Sequence, residues 1–330
     1  MTRPSTMRAA ILETHNAPLR ISTISTPGIG PGEVLVRVHA SGVNPLDTKI
    51  HAGAAAHARH PLPAIPGIDL AGVIERTGGN VTRFKPGDEV YGMTGGVGGV
   101  QGSLAEFAAA DADLLALKPA NLSMREAAAL PLIVITAWEG LIDRAMLKAG
   151  QKVLIHGGAG GVGHVAIQIA RAFGAKVFAT GSPSQRATIE GYGAVFIDRD
   201  VALEAYVAEH TGGYGFDVVY DTVGGKVLDA SFVAVRRFGH VVSALGWGTH
   251  ALAPLSFRAA TYSGVFTLLP LLSGEGRAHH GEIMAEATRL VEAGKLMPQL
   301  DARHFTLENV GDAYALIRDH ATKGKLVVDV

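Results

Sequence analysis

The sequence contains no cysteine among its 330 residues. This absence excludes disulfides, thiolate nucleophiles and every zinc site that is built on cysteine. It also agrees with a reducing compartment. The N-terminus offers no long apolar stretch of the kind that follows the charges of a secretory signal, so we expect a cytoplasmic protein.

The sequence also lacks an excess of charge of either sign and lacks a long apolar run. Lys and Arg number 29 against 30 Asp and Glu, a formal net charge of −1. Such a balance argues against a protein that coats nucleic acid or an anionic membrane. The longest uncharged apolar stretch, residues 127–138, contains Pro131 and is shorter than the roughly 18 residues of a membrane helix. We therefore predict neither a nucleic-acid nor a membrane partner.

The composition is that of a folded protein of about two domains. Hydrophobic residues make up 48% of the chain, enough for full-sized cores. Glycine is abundant, with 42 residues and no collagen-like period, so we expect it in turns and in loops that approach a ligand closely.

The first part of the chain has the pattern of short β-strands. Residues 34–38, 70–74 and 89–91 are apolar runs that each follow a Pro-Gly turn. This punctuation predicts a barrel or a curled sheet, and residues 1–6 are expected to be a loose end. Ser123 followed by Glu126 predicts a capped helix that begins the next part.

The following part alternates between strands and helices, which predicts an α/β fold with a doubly wound parallel sheet. The predicted strands are Lys152 to His156, Lys176 to Thr180, Val195 to Ile197, Phe216 to Tyr220, Gly239 to Ser243 and Tyr262 to Thr267. Helices are predicted at 136–147, 162–173 and 281–293. Residues 325–330 form a last strand that returns to the first domain. The predicted domains are therefore 1–126, 127–270 and a returning segment, 271–330.

A glycine-rich loop between a strand and a helix is the strongest functional motif. Gly158, Gly160 and Gly163 form G-x-G-x-x-G after the apolar strand 153–155, and a helix with one apolar face follows. Glycines let the backbone approach a pyrophosphate, and the helix N-terminus supplies unpaired N–H groups and a positive dipole end. The alternative is a glycine-rich turn without a ligand.

The end of the second strand indicates the coenzyme. A site for NAD usually carries Asp or Glu there, whereas this chain has Thr180-Gly-Ser-Pro-Ser184 and no acid. Ser182 and Arg186 are candidates to hold a 2′-phosphate, and Arg199 is a second cationic candidate. We therefore predict NADPH. The alternative for each arginine is an ordinary solvated side chain.

The chain resembles the zinc-independent quinone oxidoreductase (zeta-crystallin-like) branch of the medium-chain dehydrogenase/reductase superfamily. The resemblance covers nearly the whole chain. Its motifs are Met7-Arg-Ala-Ala10, Gly42-Val-Asn-Pro-Leu-Asp-Thr48, Pro66-Gly-Ile-Asp69, Phe84-Lys-Pro-Gly-Asp-Glu-Val90, Ser103-Leu-Ala-Glu-Phe107, Ala159-Gly-Gly-Val-Gly163, Asp221-Thr-Val-Gly224 and Lys323-Gly-Lys325.

This resemblance implies a GroES-like β-barrel catalytic domain, a Rossmann domain and a set of site residues. It places Asn44 and Thr136 near the nicotinamide, with Leu245, Gly246 and Phe266 approaching the carboxamide. The cofactor-binding residues that we predict are Gly158, Ala159, Gly160, Gly161, Val162, Gly163, Ser182, Arg186, Arg199, Leu245, Gly246, Phe266 and Lys325. The family usually forms dimers by pairing sheet edges, so a homodimer is expected through residues 262–267.

The resemblance also implies that no catalytic metal is bound. Asn44, Ile68 and Leu132 stand where zinc-dependent relatives place Cys, His and Cys, and none of the three can replace that set. A metal site at His279-His280-Gly-Glu282 is an alternative, and we interpret these residues as solvated instead.

Reduction of an electrophilic acceptor is the chemistry that remains. We predict hydride transfer from NADPH to a quinone or an α,β-unsaturated carbonyl, with Asn44, Lys49 and Thr136 as the catalytic residues. Lys49 has the alternative of a surface lysine that pairs with Asp47, and Asp47 is expected to fix its loop. The alternative function is a non-catalytic NADPH-binding protein with a structural or regulatory role.

Overall fold

The computed structural model describes residues 5–330, which fold into two compact units. One unit extends to Leu132 and also contains Leu268–Ala293 and Pro298–Val330; the other comprises Ile133–Thr267 and Gly294–Met297. The first four residues of the predicted loose end lie outside the described residues. The prediction fails at Thr6, where the first strand begins.

The first unit starts with strands whose inward side chains alternate with outward ones. In the third strand, Val36 and Val38 are buried and alternate with the exposed Arg37 and His39, the period of two expected of a half-buried strand, whereas Leu35 is buried in a separate cluster. The strands are β1 (Thr6–Ile11), β2 (Arg20–Ser25), β3 (Glu33–Gly42), β4 (Asp69–Thr77), β5 (Glu89–Met93), β6 (Phe107–Asp111) and β7 (Leu115–Leu117).

One helix lies between β3 and β4, and two more follow β7. They are α1 (Pro45–His51), α2 (Met124–Ala128) and α3 (Pro131–Trp138). The predicted cap is confirmed, because Ser123 and Glu126 cap α2 reciprocally. Helix α2 packs so closely on β3 that a Cβ on Gly42 would lie 2.1 Å from the carbonyl oxygen of Ala128. This contact explains why the first unit continues beyond residue 126.

The helix predicted from Thr136 begins earlier, at Pro131, and changes its winding. Proline is tolerated in the first turn of a helix, where its missing N–H is not needed. After Trp138 the chain widens into a π-helical turn over Glu139–Arg144. At Gly140 a Cβ would lie 2.7 Å from the ring of Tyr220, so this turn approaches strand residues closely.

The second unit is built on a six-stranded parallel sheet. Its elements are β8 (Lys152–His156), α4 (Gly161–Ala172), β9 (Lys176–Gly181), α5 (Arg186–Gly191), β10 (Val195–Asp198), α6 (Leu203–Thr211), β11 (Phe216–Asp221), α7 (Lys226–Ala234), β12 (Val235–Ser243), α8 (Ala253–Ser256) and β13 (Thr261–Gly264). The strand order β10-β9-β8-β11-β12-β13 is that of a doubly wound nucleotide-binding sheet. The predicted α/β class and parallel sheet are confirmed.

The last segment adds α9 (Leu269–Ser273), α10 (Arg277–Glu292), β14 (Phe305–Thr306), α11 (Val310–Arg318) and β15 (Val327–Asp329). Helix α10 begins four residues before its predicted start, directly after Gly276, which has a left-handed φ of 77°. Strand β15 pairs antiparallel with β3, with Val327 opposite Gly42. The chain's last strand therefore lies in the same sheet as β3 and β4, in the order β14-β15-β3-β4-β5-β7.

Candidate active site

The glycine-rich loop connects β8 to α4 in the second unit, as its sequence context predicts. The amide of Gly158 donates to the carbonyl of Thr180 at 2.9 Å, and the amide of Gly160 donates to Gly157 at 2.9 Å. Helix α4 then begins at Gly161, and first-turn amides have no acceptor inside their own helix. These amides and the positive end of the helix dipole suit an anionic ligand.

Glycine is needed for different reasons at the three positions of the motif. A Cβ on Gly158 would lie 2.7 Å from Cβ of Ala179, and one on Gly163 would lie 2.1 Å from the carbonyl oxygen of Gly157. Both positions need glycine for packing within the unit. At Gly160 the nearest atom of the described residues is the Gly157 carbonyl oxygen, at 3.1 Å, a tight contact that a shift of a few tenths of an ångström would relieve. This open cradle fits a pyrophosphate of a dinucleotide.

The predicted 2′-phosphate residues lie at the carboxyl ends of β9 and β10. Arg186 stacks over Phe196 with its guanidinium 4.3 Å from the ring centroid, and it pairs with Glu190 at 3.2 Å. The side chain of Arg199 is exposed, and its amide donates to Gly181 at 2.9 Å. Ser182 begins the next turn, where its hydroxyl lies 3.0 Å from that of Ser184.

One acid in this region was missed by the sequence analysis. Asp198 ends β10 directly opposite Gly181, the last residue of β9. Its carboxylate accepts from the amide of Asp200 at 3.1 Å. The acid stands at the end of the third strand, whereas the acid typical of NAD sites stands at the end of the second.

A second group of predicted residues surrounds Asp221 at the end of β11. The buried Asp221 carboxylate accepts from the Ser243 hydroxyl at 2.7 Å and from the Gly224 amide at 2.9 Å. The Leu245 amide donates to the Ser243 hydroxyl at 3.0 Å. Because that amide is used internally, a carboxamide would have to meet other backbone groups of Leu245 and Gly246.

Thr136 and Phe266 both lie in the second unit as well. The Thr136 hydroxyl is buried 3.1 Å from that of Thr267, and its carbonyl accepts from the Tyr220 hydroxyl at 2.7 Å. Phe266 is half-buried and meets Trp247 edge to face, with the ring centroids 6.2 Å apart. Gly246 admits no side chain, because a Cβ there would lie 2.1 Å from the Tyr262 hydroxyl.

The first unit contains a buried polar network around Asn44, at the start of α1. The Asn44 amide nitrogen Nδ2 donates to Oδ2 of Asp69 at 2.9 Å, and its backbone N–H donates to Oδ2 of Asp47 at 2.7 Å. Lys325 donates to Oδ1 of Asn44 and, at 2.9 Å, to the carbonyl oxygen of Val43. The predicted residues Asn44 and Lys325 therefore meet.

The two carboxyl groups of this network have raised pKa values because they are buried. Burial raises the pKa of Asp47 to about 7; the Asn44 N–H and Lys325 oppose this rise and Asp69 adds to it. Burial raises the pKa of Asp69 to about 6 against the attraction of Lys325. Burial also lowers the pKa of Lys325, which both carboxylates oppose. Burial therefore opposes the charged form of each of these three groups.

Asp47 should make the protein less stable as the pH rises. Its pKa is 3.8 ordinarily and about 7 in the fold. Between these two pH values the unfolded chain has released a proton that the folded chain keeps. The free energy of unfolding therefore falls by up to about 1.4 kcal/mol for each unit by which the pH rises. Asp47→Asn removes this term, so its unfolding free energy relative to wild type should rise between pH 4 and 7 and then level. Urea denaturation at several pH values measures the difference.

Asp301→Asn is the matched control with the opposite sign. Arg303 pairs with both carboxylate oxygens of Asp301, at 2.8 and 2.6 Å, and holds the pKa of Asp301 well below its usual value. This aspartate stabilises the fold above about pH 4, and its contribution is lost on acidification. A difference between Asp47→Asn and wild type that is constant with pH would show that Asp47 is not desolvated.

Lys49 and Asp69 differ from what the sequence analysis emphasised. Lys49 lies exposed on α1, while the carboxylate of Asp47 accepts from the Asn44 N–H instead. The catalytic role of Lys49 stays a prediction. Asp69 was not among the predicted site residues, although it ends the motif Pro66-Gly-Ile-Asp69 directly before the apolar run 70–74. A carboxylate in such a position is itself a signal of a buried polar partner.

Asn44, Ile68 and Leu132 are the residues that the resemblance places at the positions of the zinc ligands. Ile68 is fully buried, and the backbone N–H of Leu132 donates to Oδ1 of Asp69 at 2.9 Å. Over residues 5–330, no three His, Asp or Glu side chains group in a way that could hold a metal ion. His280 corrects one expectation, because it is buried on α10, whereas His279 is exposed and contacts Glu282 at 3.1 Å.

The described helices were also compared with the length and polarity that crossing a bilayer demands. Within residues 5–330, none of them is both long and apolar enough to do so. This finding agrees with the short apolar stretches of the sequence.

The fold and these two groups of residues define a class of two-domain oxidoreductases with a nucleotide-binding sheet. Two family models match the chain: the alcohol dehydrogenase GroES-like domain over residues 30–120 and the zinc-binding dehydrogenase family over residues 192–328. The predicted GroES-like domain is confirmed by the first of these matches.

Similarity to known proteins shows which oxidoreductases of this class the chain resembles. A 2-methylene-furan-3-one reductase of Solanum lycopersicum is 36% identical over 93% of this chain and 74% of its own length. The NADPH-dependent alkenal/one oxidoreductase of Arabidopsis thaliana chloroplasts is 34% identical with the same coverage. A crystal structure of an alcohol dehydrogenase superfamily protein from Novosphingobium aromaticivorans matches with 57% identity and a TM-score of 0.97, covering 98% of this chain and all of that one. The chain belongs to the medium-chain dehydrogenase/reductase (alcohol dehydrogenase) superfamily, among its quinone and enone oxidoreductases.

Proposed function

We propose that the protein is an NADPH-dependent reductase of α,β-unsaturated carbonyl compounds or quinones. The observation that supports this most is the buried Asn44 amide, which is held by Asp69 and Lys325 and whose Nδ2 uses one of its two hydrogens in the bond to Asp69. The names of the two plant relatives, which describe conjugated carbonyl substrates, agree with this function. The same names favour an enzyme over a non-catalytic NADPH-binding protein.

The chain's own groups divide the work. NADPH, when bound, supplies a hydride. The open cradle at Gly160 and the first-turn amides of α4 would hold its pyrophosphate, while Arg186 and Arg199 would hold the 2′-phosphate. In the first unit, the Asn44 N–H would donate to the substrate's carbonyl oxygen as negative charge develops there, which lowers the barrier to addition at the β-carbon. A proton from solvent completes the saturated ketone.

A kinetic panel tests this function. NADPH oxidation should accelerate with alkenals, enones and quinones and should stay at background with saturated ketones of matched size. The reason is that a saturated ketone would yield a localised alkoxide, a much stronger base than the delocalised enolate, and a single neutral amide N–H cannot offset that difference in energy. Turnover of saturated ketones or alcohols at equal rates would contradict the assignment, and so would no turnover with any member of the panel.

We further propose that the reaction needs no zinc. The oxygen of Asn44 that a metal would use is bound by the Lys325 ammonium, which repels a cation, and the side chains of Ile68 and Leu132 offer no donor atom. Treatment with a strong chelator should leave the NADPH-dependent rate unchanged, with substoichiometric zinc by elemental analysis. Activity that falls with the removal of stoichiometric zinc, and returns when zinc is added, would contradict this proposal.

A homodimer and a cytoplasmic location stay predictions. Among the described residues, strand β13 lies at the edge of its sheet, where a second copy would pair. The strand ends at Gly264 and is shorter than the predicted range of 262–267. Light scattering on the purified chain measures the oligomeric state directly.

A further inference from the structure

Lys325 is a buried lysine with only 7% of its surface exposed, and the sheet register places it beside Asn44. Strand β15 pairs with the end of β3, and the amide of Val43 donates to Leu326 at 2.9 Å. The next residue towards the N-terminus, Lys325, therefore lies opposite residues 43 and 44. Its ammonium donates to Val43 and to Asn44, which uses two of its three N–H groups.

The two neighbours of the Asn44 amide fix its orientation in the same sense. An ammonium only donates, so the amide atom that faces Lys325 must be the oxygen. An ionised carboxylate only accepts, so the atom that faces Asp69, at 2.9 Å, must be the nitrogen. A flip of the amide would set donor against donor on one side and acceptor against acceptor on the other.

Packing alone does not require an ammonium at this position. A methionine of similar length would fill the same space without the cost of removing a charge from water. At the start of helix α1, the backbone N–H of the N-cap residue Asn44 donates to Asp47 at 2.7 Å, a cap contact that does not involve Lys325. A cation at Oδ1 also polarises the amide and makes its N–H groups better donors, because hydrogen bonds in a chain strengthen one another.

We propose that Lys325 is a positioning residue that, with Asp69, orients and polarises the Asn44 amide so that its second Nδ2 hydrogen is held ready for the substrate's carbonyl oxygen. This inference rests on the proposed function, in which Asn44 donates to that oxygen. It replaces the coenzyme contact that the resemblance implied for Lys325 with an action through Asn44.

A double-mutant cycle in the full-length protein tests the inference. Asn44→Ala, Lys325→Met and the combined variant are compared by kcat/KM with NADPH and an enone, and by the Kd for NADPH from fluorescence. Asn44→Ala should lower kcat/KM by about 10²–10³-fold, the usual cost of one oxyanion donor. Lys325→Met should lower it by about 10- to 100-fold in the wild type but by less than about threefold in Asn44→Ala. The Kd for NADPH should stay within about threefold of that of the wild type.

Lys323→Met is the matched control, since Lys323 is an exposed lysine two residues away. Its kcat/KM should not change. If Lys325→Met fails to fold, Asp69→Asn tests the other side of the amide, because an asparagine whose oxygen accepts from the Leu132 N–H presents its NH2 group, a second donor, to Nδ2 of Asn44. Its effect should likewise vanish in the Asn44→Ala background.

The outcomes separate the inference from the proposed function. Effects of Lys325→Met that multiply with those of Asn44→Ala, or a large rise in the Kd for NADPH, would show that Lys325 acts on its own. A strong effect of Asn44→Ala without one of Lys325→Met or Asp69→Asn would overturn the inference alone. An unchanged kcat/KM in Asn44→Ala would overturn both the inference and the role given to Asn44.

Discussion

Gly160→Val is expected to abolish NADPH binding and to leave the fold intact. The backbone at Gly160 has φ −76° and ψ 173°, a conformation open to any residue, and a Cβ there meets only one carbonyl oxygen at 3.1 Å. The valine methyl groups would instead occupy the space that we assign to the pyrophosphate. Loss of two charge-assisted hydrogen bonds costs about 3 kcal/mol or more, which raises Kd at least about 100-fold.

Two other glycines serve as controls for this variant. Gly191→Ala places a methyl group in open space within the same unit and should bind NADPH normally. Gly163→Ala drives a Cβ to 2.1 Å from the backbone oxygen of Gly157 and should lower the melting temperature. Titration calorimetry and thermal unfolding measure the two properties separately. Normal NADPH binding by a folded Gly160→Val protein would show that the loop does not hold the pyrophosphate.

Arg186→Glu is expected to weaken NADPH binding by about 10- to 100-fold and NADH binding by less than about threefold. A charge-assisted hydrogen bond to a phosphate contributes roughly 1.5–3 kcal/mol to binding. NADH has no 2′-phosphate, so the substitution removes no such bond from its complex. The exposed pair between Arg186 and Glu190, at 3.2 Å, is worth only about 0.3–0.5 kcal/mol, so the arginine can exchange it for a phosphate. Both dissociation constants should be measured at low and at physiological salt, since screening reduces the preference.

Glu190→Gln is the matched control for Arg186→Glu. It removes the competing acid and leaves the guanidinium over Phe196, so the affinity for NADPH should be equal to that of the wild type or higher. Asp198 adds an opposing charge at the same edge of the sheet. A wild-type protein that prefers NADH, or equal losses for the two coenzymes in Arg186→Glu, would contradict the NADPH assignment without affecting the fold.

Local patterns in the sequence predicted those features that depend on local geometry. The alternating strands and helices of residues 152–243 predicted the parallel sheet, and the spacing of Gly158, Gly160 and Gly163 predicted the loop between β8 and α4. The predicted starts of helices were less accurate where a single residue determines them. Gly276 allows α10 to start at Arg277, and Pro131 starts α3 five residues before the predicted helix.

The network around Asn44 could not be predicted from local patterns. It joins residues 44, 47, 69 and 325, which come together only because β15 pairs with β3 and β3 pairs with β4. Local patterns therefore pointed to Lys49, which is near Asn44 in the chain, whereas the lysine that contacts Asn44 is Lys325, two residues before β15. The same reasoning explains Asp198, since its closeness to the end of β9 depends on strand order.

The most direct test of the proposed reduction follows the hydride itself. The protein is incubated with an enone and NADPH that carries deuterium at C4 of the nicotinamide, with one stereoisomer in each of two reactions, and the product is analysed by NMR. One stereoisomer should give a saturated ketone with one deuterium at the β-carbon, and the other should give a product without deuterium. Deuterium at the carbonyl carbon of an allylic alcohol, or a product without deuterium from either coenzyme, would contradict the proposed reduction.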